Sequence, residues 1–174
     1  MKVSKYLLLR LALLLFLFPS FLAAQDEKQK LTGPVIKGIV EQFVSMHYAQ
    51  KPLDDEMSAK IFKLYLNRLD PAHYYFLAAD VNEFQKYETR IDDMLLRGKV
   101  KLALEIFELF KVRLSERLAM MEEFLAEDFD FSRDANWTLE RDDLPYPETT
   151  EEARKIWRTK IKFDLLTLKL ADTS

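Results

Sequence analysis

Apolar residues recur at helical spacing along most of the chain, and the repeat that organises it lies in residues 58–84, SAKIFKLYLNRLDPAHYYFLAADVNEF. The first half of this stretch predicts a helix that ends at Asp70-Pro71, because a proline disfavours helical geometry in the residue before it. The inward stripe of that helix is predicted to comprise Met57, Ile61, Phe62, Leu64, Tyr65 and Leu69. A second helix is expected to begin at Asp80, with Glu83 completing a capping box.

The connector between these two helices carries three consecutive aromatic residues, Tyr74, Tyr75 and Phe76. Aromatic side chains bury large apolar areas, so we expect the connector to fold back between the helices as a structural plug. Burial of Tyr75 or Phe76 would support this interpretation. The alternative is an exposed docking patch for a substrate or an adaptor.

Two flanking helices follow from the same periodicity. The first begins near Pro34. The second is the helix already expected to begin at Asp80; it runs from about Val81 to Arg97 and ends at Gly98, a residue suited to a left-handed helix cap. The face predicted for the first comprises Ile36, Ile39, Val40, Phe43 and His47, and that for the second comprises Val81, Phe84, Ile91 and Leu95.

The longest helix is predicted from about Lys99 to Glu127. Its apolar positions alternate at spacings of four and three, as in a coiled coil, and Lys111 interrupts them. These positions are Val100, Leu104, Phe107, Leu114, Leu118, Met121 and Leu125, and Ala103, Ile106 and Phe110 widen the face in the first half. For so regular a stripe, packing within the chain is favoured over a partner-binding groove.

Residues 128–149 lack helical periodicity and contain Pro145 and Pro147. Their aromatic residues predict an irregular strap that lies over the helices, anchored by Phe129, Phe131, Trp137 and Tyr146. The last helix is expected near Thr150, with Thr149 and Glu152 as a capping box. Its predicted buried face comprises Ala153, Ile156, Trp157, Ile161, Leu165 and Leu168. A second apolar side, Phe163, Leu166 and Leu170, would be covered by a further domain.

The runs SAKIFKLYLNRLDPAHYYFLAADVNEFQ, VSMHYAQKPLDDEM and KIKFDLLTLKLAD resemble the N-terminal helical region of the tail-specific proteases, the carboxyl-terminal processing serine peptidases of the bacterial cell envelope. The resemblance covers nearly all of the chain after Gln25. In that family a PDZ-type domain and a protease domain with a serine nucleophile and a lysine base follow. The resemblance therefore implies a chain truncated before both domains.

Composition supports an all-α fold of about five helices in a single domain. The chain has 174 residues, 49% of them hydrophobic, with three glycines and no cysteine. That length can bury a core. The absence of cysteine excludes disulfides, thiolate metal sites and a cysteine nucleophile.

The N-terminus has the layout of a secretory signal. Three cations, Lys2, Lys5 and Arg10, are followed by an apolar run from Leu11 to Leu22. Ala23-Ala24 then precede a polar stretch. We expect residues 1–24 to be cleaved and residues 25–174 to form a periplasmic helical domain, with inner-membrane association as the alternative. Cleavage would take the formal net charge from −3 to about −6 by removing three cations and no acid. Such a chain is a poor partner for nucleic acid.

Candidate chemistry is sparse. His47 and His73 lack the paired partners of a metal or catalytic site, so a structural histidine is favoured for each. The adjacent acids Asp54-Asp55, Asp92-Asp93 and Asp142-Asp143 are expected to point apart. None of the serines after Gln25, namely Ser45, Ser58, Ser115, Ser132 and Ser174, lies in a sequence that resembles the family's catalytic motif. We therefore assign no catalytic, cofactor-binding or metal-binding residue.

Three hypotheses follow. The favoured one is a non-catalytic module of an exported protease that trims or degrades periplasmic proteins from their C-termini. Its partners would be the PDZ and protease domains of the same full-length chain, with protein substrates or an adaptor in addition. The second is a free-standing periplasmic protein-interaction domain. The third, a complete small enzyme built on His47 or His73, is disfavoured because no motif supports it.

Overall fold

The computed structural model describes residues 33–46, 52–132 and 136–172. Within these ranges the chain forms six α-helices and no strand, which confirms the all-α fold class. The helices are α1 (Gly33–Met46), α2 (Asp55–Leu69), α3 (Ala78–Gln85), α4 (Ile91–Leu96), α5 (Lys101–Leu125) and α6 (Thr150–Asp172). The expected signal segment, the leader after it and His47 lie outside the described residues.

Two apolar clusters form the core, and the connector between α2 and α3 bridges them. Phe76 is fully buried in the first, and Tyr74 and Tyr75 pack against the second. The first contains Phe62, Leu66, Phe76, Phe84, Leu102 and Ile106, and the second contains Met120, Phe124, Trp157 and Ile161. The prediction that the aromatic connector is a buried plug is therefore confirmed.

Helix α2 ends where the sequence predicts, and its start is fixed by a side-chain cap. Asp54 caps it by accepting a 2.9 Å hydrogen bond from the backbone N–H of Met57, and the helix ends at Leu69, two residues before the proline. The predicted stripe is partly wrong, because Leu64 is exposed. The buried side chains on α2 are Ser58, Phe62 and Leu66. Leu64 lies two residues from both Phe62 and Leu66, about 200° around the helix from each.

The predicted continuous helix from Val81 to Arg97 is wrong: turns at residues 86–89 divide it into α3 and α4. The buried hydroxyl of Ser58 accepts a 2.8 Å hydrogen bond from the backbone N–H of Asp92 and donates one of 2.8 Å to its carboxylate. The Ser58 hydroxyl thus caps α4 from another helix. It accepts from a backbone N–H that would bond within the helix if α3 and α4 were continuous. Gly98 adopts the predicted left-handed geometry, with φ of 67°.

The predicted start at Asp80 is also wrong, because α3 begins at Ala78 and its N-cap is Leu77. Asp80 lies in the first turn instead, where its carboxylate accepts a 2.9 Å hydrogen bond from the backbone N–H of Leu77. The acid still satisfies a free amide at the helix start, but it does so from the third helical position.

Helix α5 buries a different face from the one predicted. Its buried residues are Leu102, Ile106, Arg117, Met120 and Phe124. The predicted coiled-coil stripe lies about 120° around the helix from these residues, at 100° per residue. The expectation that this stripe packs within the chain is wrong at Leu104, Phe107, Leu118 and Leu125, which are exposed, whereas Met121 does pack against the second cluster. Ile106 and Phe110, from the widened first half, do contact the core.

Helix α6 packs against α5, and the strap before it crosses the connector. Thr149 caps α6 by accepting a 3.1 Å hydrogen bond from the N–H of Glu152, as predicted. The carboxylate of Glu152 accepts a 2.8 Å hydrogen bond from the N–H of Glu148, whereas a capping box would use the N–H of Thr149. Ala153, Trp157 and Ile161 are buried, whereas Leu168 is exposed, contrary to expectation. Leu168 lies beyond the second apolar cluster.

Helix α1 starts at Gly33, beside the predicted Pro34, and packs against α4. Ile36 is buried, but Ile39 and Phe43 are exposed, so the predicted buried face of α1 is wrong at those two positions. α1 meets the α4–α5 corner at two glycines. A Cβ added to Gly98 would lie 2.8 Å from the Cα of Gly33, so the close approach requires glycine there.

Candidate functional site

The connector is held from one side by Asp70, whose side chain is fully buried. Its carboxylate accepts three backbone hydrogen bonds, from the N–H groups of Tyr74 at 2.7 Å, Tyr75 at 2.9 Å and Phe76 at 3.0 Å. A buried carboxylate needs several donors to offset its desolvation, and the turned backbone supplies them. Asp70 thus ends α2 and also fixes the conformation of the aromatic run.

Two side chains from distant helices hold the same segment by its carbonyl groups. Arg117 of α5 donates from Nε to the carbonyl oxygen of Tyr74 at 3.3 Å and from Nη2 to that of Tyr75 at 2.8 Å. Trp157 of α6 donates from Nε1 to the Tyr74 carbonyl oxygen at 2.9 Å. We call Asp70, Arg117, Trp157 and the backbone of residues 74–76 the connector clamp. The clamp joins α2, α3, α5 and α6.

A second ionic group adjoins the clamp. Arg113 donates to both carboxylate oxygens of Asp80, at 2.7 and 2.8 Å, and also to Glu116. Burial alone would raise the pKa of Asp80, but the hydrogen bonds from Arg113 and from the N–H of Leu77 outweigh it, and the pKa is lowered. The same hydrogen bond with Asp80 raises the pKa of Arg113. Burial lowers the pKa of Arg117, which lies one turn away.

His73 is the one described non-glycine residue with positive φ, at 54°. Its ring stacks on Tyr146 of the strap, with centroids 3.8 Å apart, and Nδ1 bonds to the carbonyl oxygen of Leu144. Because a carbonyl only accepts, Nδ1 carries the proton in this contact. Burial, with the nearby charge of Asp70, raises the pKa of Tyr146 to about 12. His73 thus anchors the strap to the connector.

Two depressions on the surface differ in character. One, of about 560 Å³, has a floor of Phe62 and Leu66 and a polar rim that includes His73 and three carboxylates, Glu88, Asp142 and Asp143. The other, of about 370 Å³, is almost wholly apolar. It lies between α1, α2 and α4 and is lined by Ile39, Val40, Phe43, Val44, Pro52, Leu53, Met57, Ile61 and Leu95.

Comparison with known proteins identifies the family to which the chain belongs. Residues 39–174 match the family described as "Tail specific protease N-terminal domain". This chain belongs to that family. Over 151 residues it is also 32% identical to the tail-specific protease of Haemophilus influenzae, an alignment that covers 86% of this chain and 21% of the relative. The chain therefore spans about a fifth of the length of that protease.

Within the described part of this tail-specific protease N-terminal domain, the histidine and serine candidates each make a structural hydrogen bond. His73 is held in the strap contact, and Ser58 is engaged with Asp92. The hydroxyls of Ser45 and Ser115 donate to carbonyl oxygens of their own helices, and that of Ser132 donates to Asp130. Ser174 lies outside the described residues.

The adjacent acids serve different contacts. Asp92 bonds Ser58, whereas Asp93 pairs with Arg97, so these neighbours do point apart as predicted. Asp142 and Asp143 both line the polar depression. Among the described residues, no group of three or more histidines, aspartates or glutamates is placed to hold a metal ion.

Sequence reasoning missed Arg113 and Arg117. A signal for them does exist: Arg117 occupies the α5 face shared by Ile106, Met120 and Phe124, where an isolated charge predicts a buried polar partner. The partners are backbone carbonyl groups 42 and 43 residues away, and no side-chain pattern shows them. None of the described helices has the length and apolarity to cross a membrane.

Proposed function

We propose that this chain is the non-catalytic N-terminal module of an exported tail-specific protease, where it scaffolds the PDZ and protease domains of the same polypeptide. The observation that carries the proposal is the family match over residues 39–174. The aligned Haemophilus influenzae protein, which is named for proteolysis, has most of its length outside the alignment. A module role accounts for both facts.

The connector clamp supports a scaffolding role. A scaffold must hold its surfaces in fixed relation, and the clamp ties four of the six described helices to one buried backbone segment. Helix α6 continues past the core and exposes Leu168 near its end, whereas Phe163, further back on the helix, is partly covered by the stacked ring of Trp137. Exposed apolar side chains at the end of a helix are suited to packing against another domain.

The apolar groove between α1, α2 and α4 supports contact with a protein substrate or an adaptor. Its walls include Phe43, Met57 and Ile61, and flexible methionine side chains adapt to varied apolar partners. Charge gives the groove little selectivity, because none of its lining residues is ionisable. The same groove favours the second candidate function, a free-standing periplasmic protein-interaction domain.

The reading frame beyond the codon for Ser174 separates these two functions. A frame that continues into a PDZ region and a serine–lysine protease supports the module. A natural stop codon there favours the interaction domain. The encoded remainder, produced separately, should then cleave an unfolded reporter protein poorly alone and faster when this chain is added. Equal cleavage with and without the chain contradicts a scaffolding role.

Export is tested on the chain itself. Residues 1–24 have the charge and apolarity of a secretory signal, and the proposal places the mature domain in the periplasm. Expression of all 174 residues in a bacterial host, followed by osmotic release and intact-mass measurement, should yield a periplasmic species lacking about 24 N-terminal residues. A full-length cytoplasmic product contradicts export, and a full-length product in the membrane fraction supports anchoring instead.

A further inference from the structure

The coiled-coil stripe on α5 is regular in sequence yet largely open to solvent. Its eight positions follow spacings of four, three, four, three, four, three and four: Val100, Leu104, Phe107, Lys111, Leu114, Leu118, Met121 and Leu125. None of the eight is buried, and Leu104, Phe107, Leu118 and Leu125 are 57%, 40%, 50% and 58% exposed. We call this face the α5 seam.

The seam is distinct from the face with which α5 holds the core. The core face carries Leu102, Ile106, Met120 and Phe124, about 120° around the helix. A helix with two apolar faces at this angle is built to contact two neighbours. The core face packs against α2, α3, the connector and α6, whereas Met121 is the seam residue that packs against the second cluster among the described residues.

The spacing of the apolar positions along the seam indicates which kind of structure would pack on it. Alternation of four and three places apolar side chains where a second α-helix can interdigitate with them, and over 25 residues the seam is about 37 Å long. A groove for an extended peptide needs no such repeat. The occupant is therefore a long amphipathic helix.

Lys111, in the middle of the seam, argues against a second copy of this chain as the occupant. In a parallel pair the two Lys111 side chains would face each other, and in an antiparallel pair that aligns the whole seam they would lie in adjacent layers. Like charges in a coiled-coil core are destabilising, whereas a carboxylate on a different helix would pair with the ammonium group. The present partner of Lys111, Glu108 at 2.7 Å, is itself exposed, as is Lys111. Such a pair contributes little stability.

From these observations we infer that the α5 seam docks an amphipathic helix from another part of the same full-length protease polypeptide, with an acidic residue facing Lys111. The inference rests on the proposed function, because it needs a polypeptide beyond the present chain. About four-fifths of the aligned Haemophilus influenzae protease lies outside the alignment, which leaves ample length for such a helix.

Cysteine labelling tests this directly, because the present chain contains no cysteine. Leu118→Cys is introduced into the 174-residue chain and into the full-length protein encoded by the continuing frame. The alkylation rate of that peptide is followed by mass spectrometry. We expect at least tenfold slower labelling in the full-length protein. Leu139→Cys in the strap, where the native side chain is exposed, is the control and should label equally in both.

A binding measurement provides the second arm. The separately produced remainder should bind the 174-residue chain, and Leu104→Glu with Leu118→Glu should weaken that binding at least tenfold. Lys111→Glu should also weaken it, by placing like charges together. Leu64→Glu, at an exposed position on α2, should have no effect. Circular dichroism of each variant separates loss of docking from loss of folding.

The outcomes distinguish the two proposals. If the frame stops, or if the wild-type chain fails to bind the remainder, the proposed function fails and the inference falls with it. If the wild-type chain binds but Leu118→Cys labels equally fast in both forms, the inference alone is overturned. Protection of Leu118→Cys in the 174-residue chain that grows with its concentration would identify a second copy as the occupant and would also overturn the inference.

Discussion

Arg117 donates a 2.8 Å hydrogen bond to the carbonyl oxygen of Tyr75 from a position with no solvent exposure. An arginine is almost never fully buried unless its donors are paired, and here two neutral carbonyl groups accept from it. The charge is balanced at longer range by acids that include Glu116. The bond therefore joins α5, which carries the exposed seam, to the connector that bridges the two core clusters.

Arg117→Met should destabilise the domain by about 1–3 kcal/mol, because the Tyr75 carbonyl group loses its donor, whereas the Tyr74 carbonyl group keeps the hydrogen bond from Trp157. Methionine preserves much of the side-chain volume, so the loss reports the hydrogen bonds and not a cavity. Urea unfolding at pH 7 measures the effect. Arg158→Met is the control: its ion pair with Glu127 is exposed, and its loss should cost less than about 1 kcal/mol. Equal losses in the two variants would contradict the clamp.

Phe76→Ala should cost about 3–5 kcal/mol, the usual penalty for truncating a buried phenylalanine. Phe76 has no exposed surface and contacts Phe110 at 5.8 Å between ring centroids. Chemical denaturation measures the change, with Phe107→Ala on the exposed side of α5 as the matched control. A loss below about 1 kcal/mol for Phe76→Ala would mean that the connector is not a structural plug.

The Asp80–Arg113 pair should make stability depend on acid pH. Because the folded pKa of Asp80 is lowered, its contribution is complete above the unfolded value of about 3.9 and is lost as pH falls through the folded pKa. Asp80→Asn should therefore lower the unfolding free energy at pH 7 by about 2 kcal/mol, through loss of hydrogen bonds to a charged group. The difference between wild type and variant should shrink below about pH 4. A difference that stays constant from pH 7 to pH 3 would refute this linkage.

Two glycines should respond in opposite directions to alanine. Gly98 has positive φ, and an added Cβ would overlap the backbone of Gly33, so Gly98→Ala should destabilise by about 2 kcal/mol or more. Gly38 lies inside α1, where an added Cβ would meet no atom within 4 Å beyond its chain neighbours and the helix's own backbone, so alanine there should stabilise by about 0.5–1 kcal/mol. Thermal unfolding of the two variants gives the sign. Destabilisation by both would show that α1 is not packed as described.

Hydrophobic periodicity located the helices well, because burial of apolar stripes is what makes most of them form. It placed the ends of α2 and α6 correctly, through Pro71 and the Thr149 cap. Periodicity predicted one continuous helix where the structure has α3 and α4. There the hydrogen bonds between Ser58 and Asp92 stabilise a new helix start, and these bonds come from another part of the fold. No one-dimensional pattern contains a partner 34 residues away.

The choice of face on α5 could not be made from sequence either. Both of its stripes are apolar, and the one with the cleaner coiled-coil spacing is the exposed one. The side that packs within the chain contains Arg117, a residue that any hydropathy measure assigns to the surface. Hydrogen bonds to backbone carbonyl groups of the connector make burial of that side favourable. A pattern of side chains along the sequence does not show these groups.

The sequence separations within the connector clamp predict an order of assembly. Its bonds from Asp70 close loops of four to six residues, whereas those to Arg117 span 42 and 43 and that from Trp157 to Tyr74 spans 83. Each doubling of loop length adds about 0.6 kcal/mol of closure entropy, so the turn closes first, α5 joins it and α6 docks last. In refolding kinetics, Asp70→Asn should then slow folding, while Trp157→Phe should mainly accelerate unfolding.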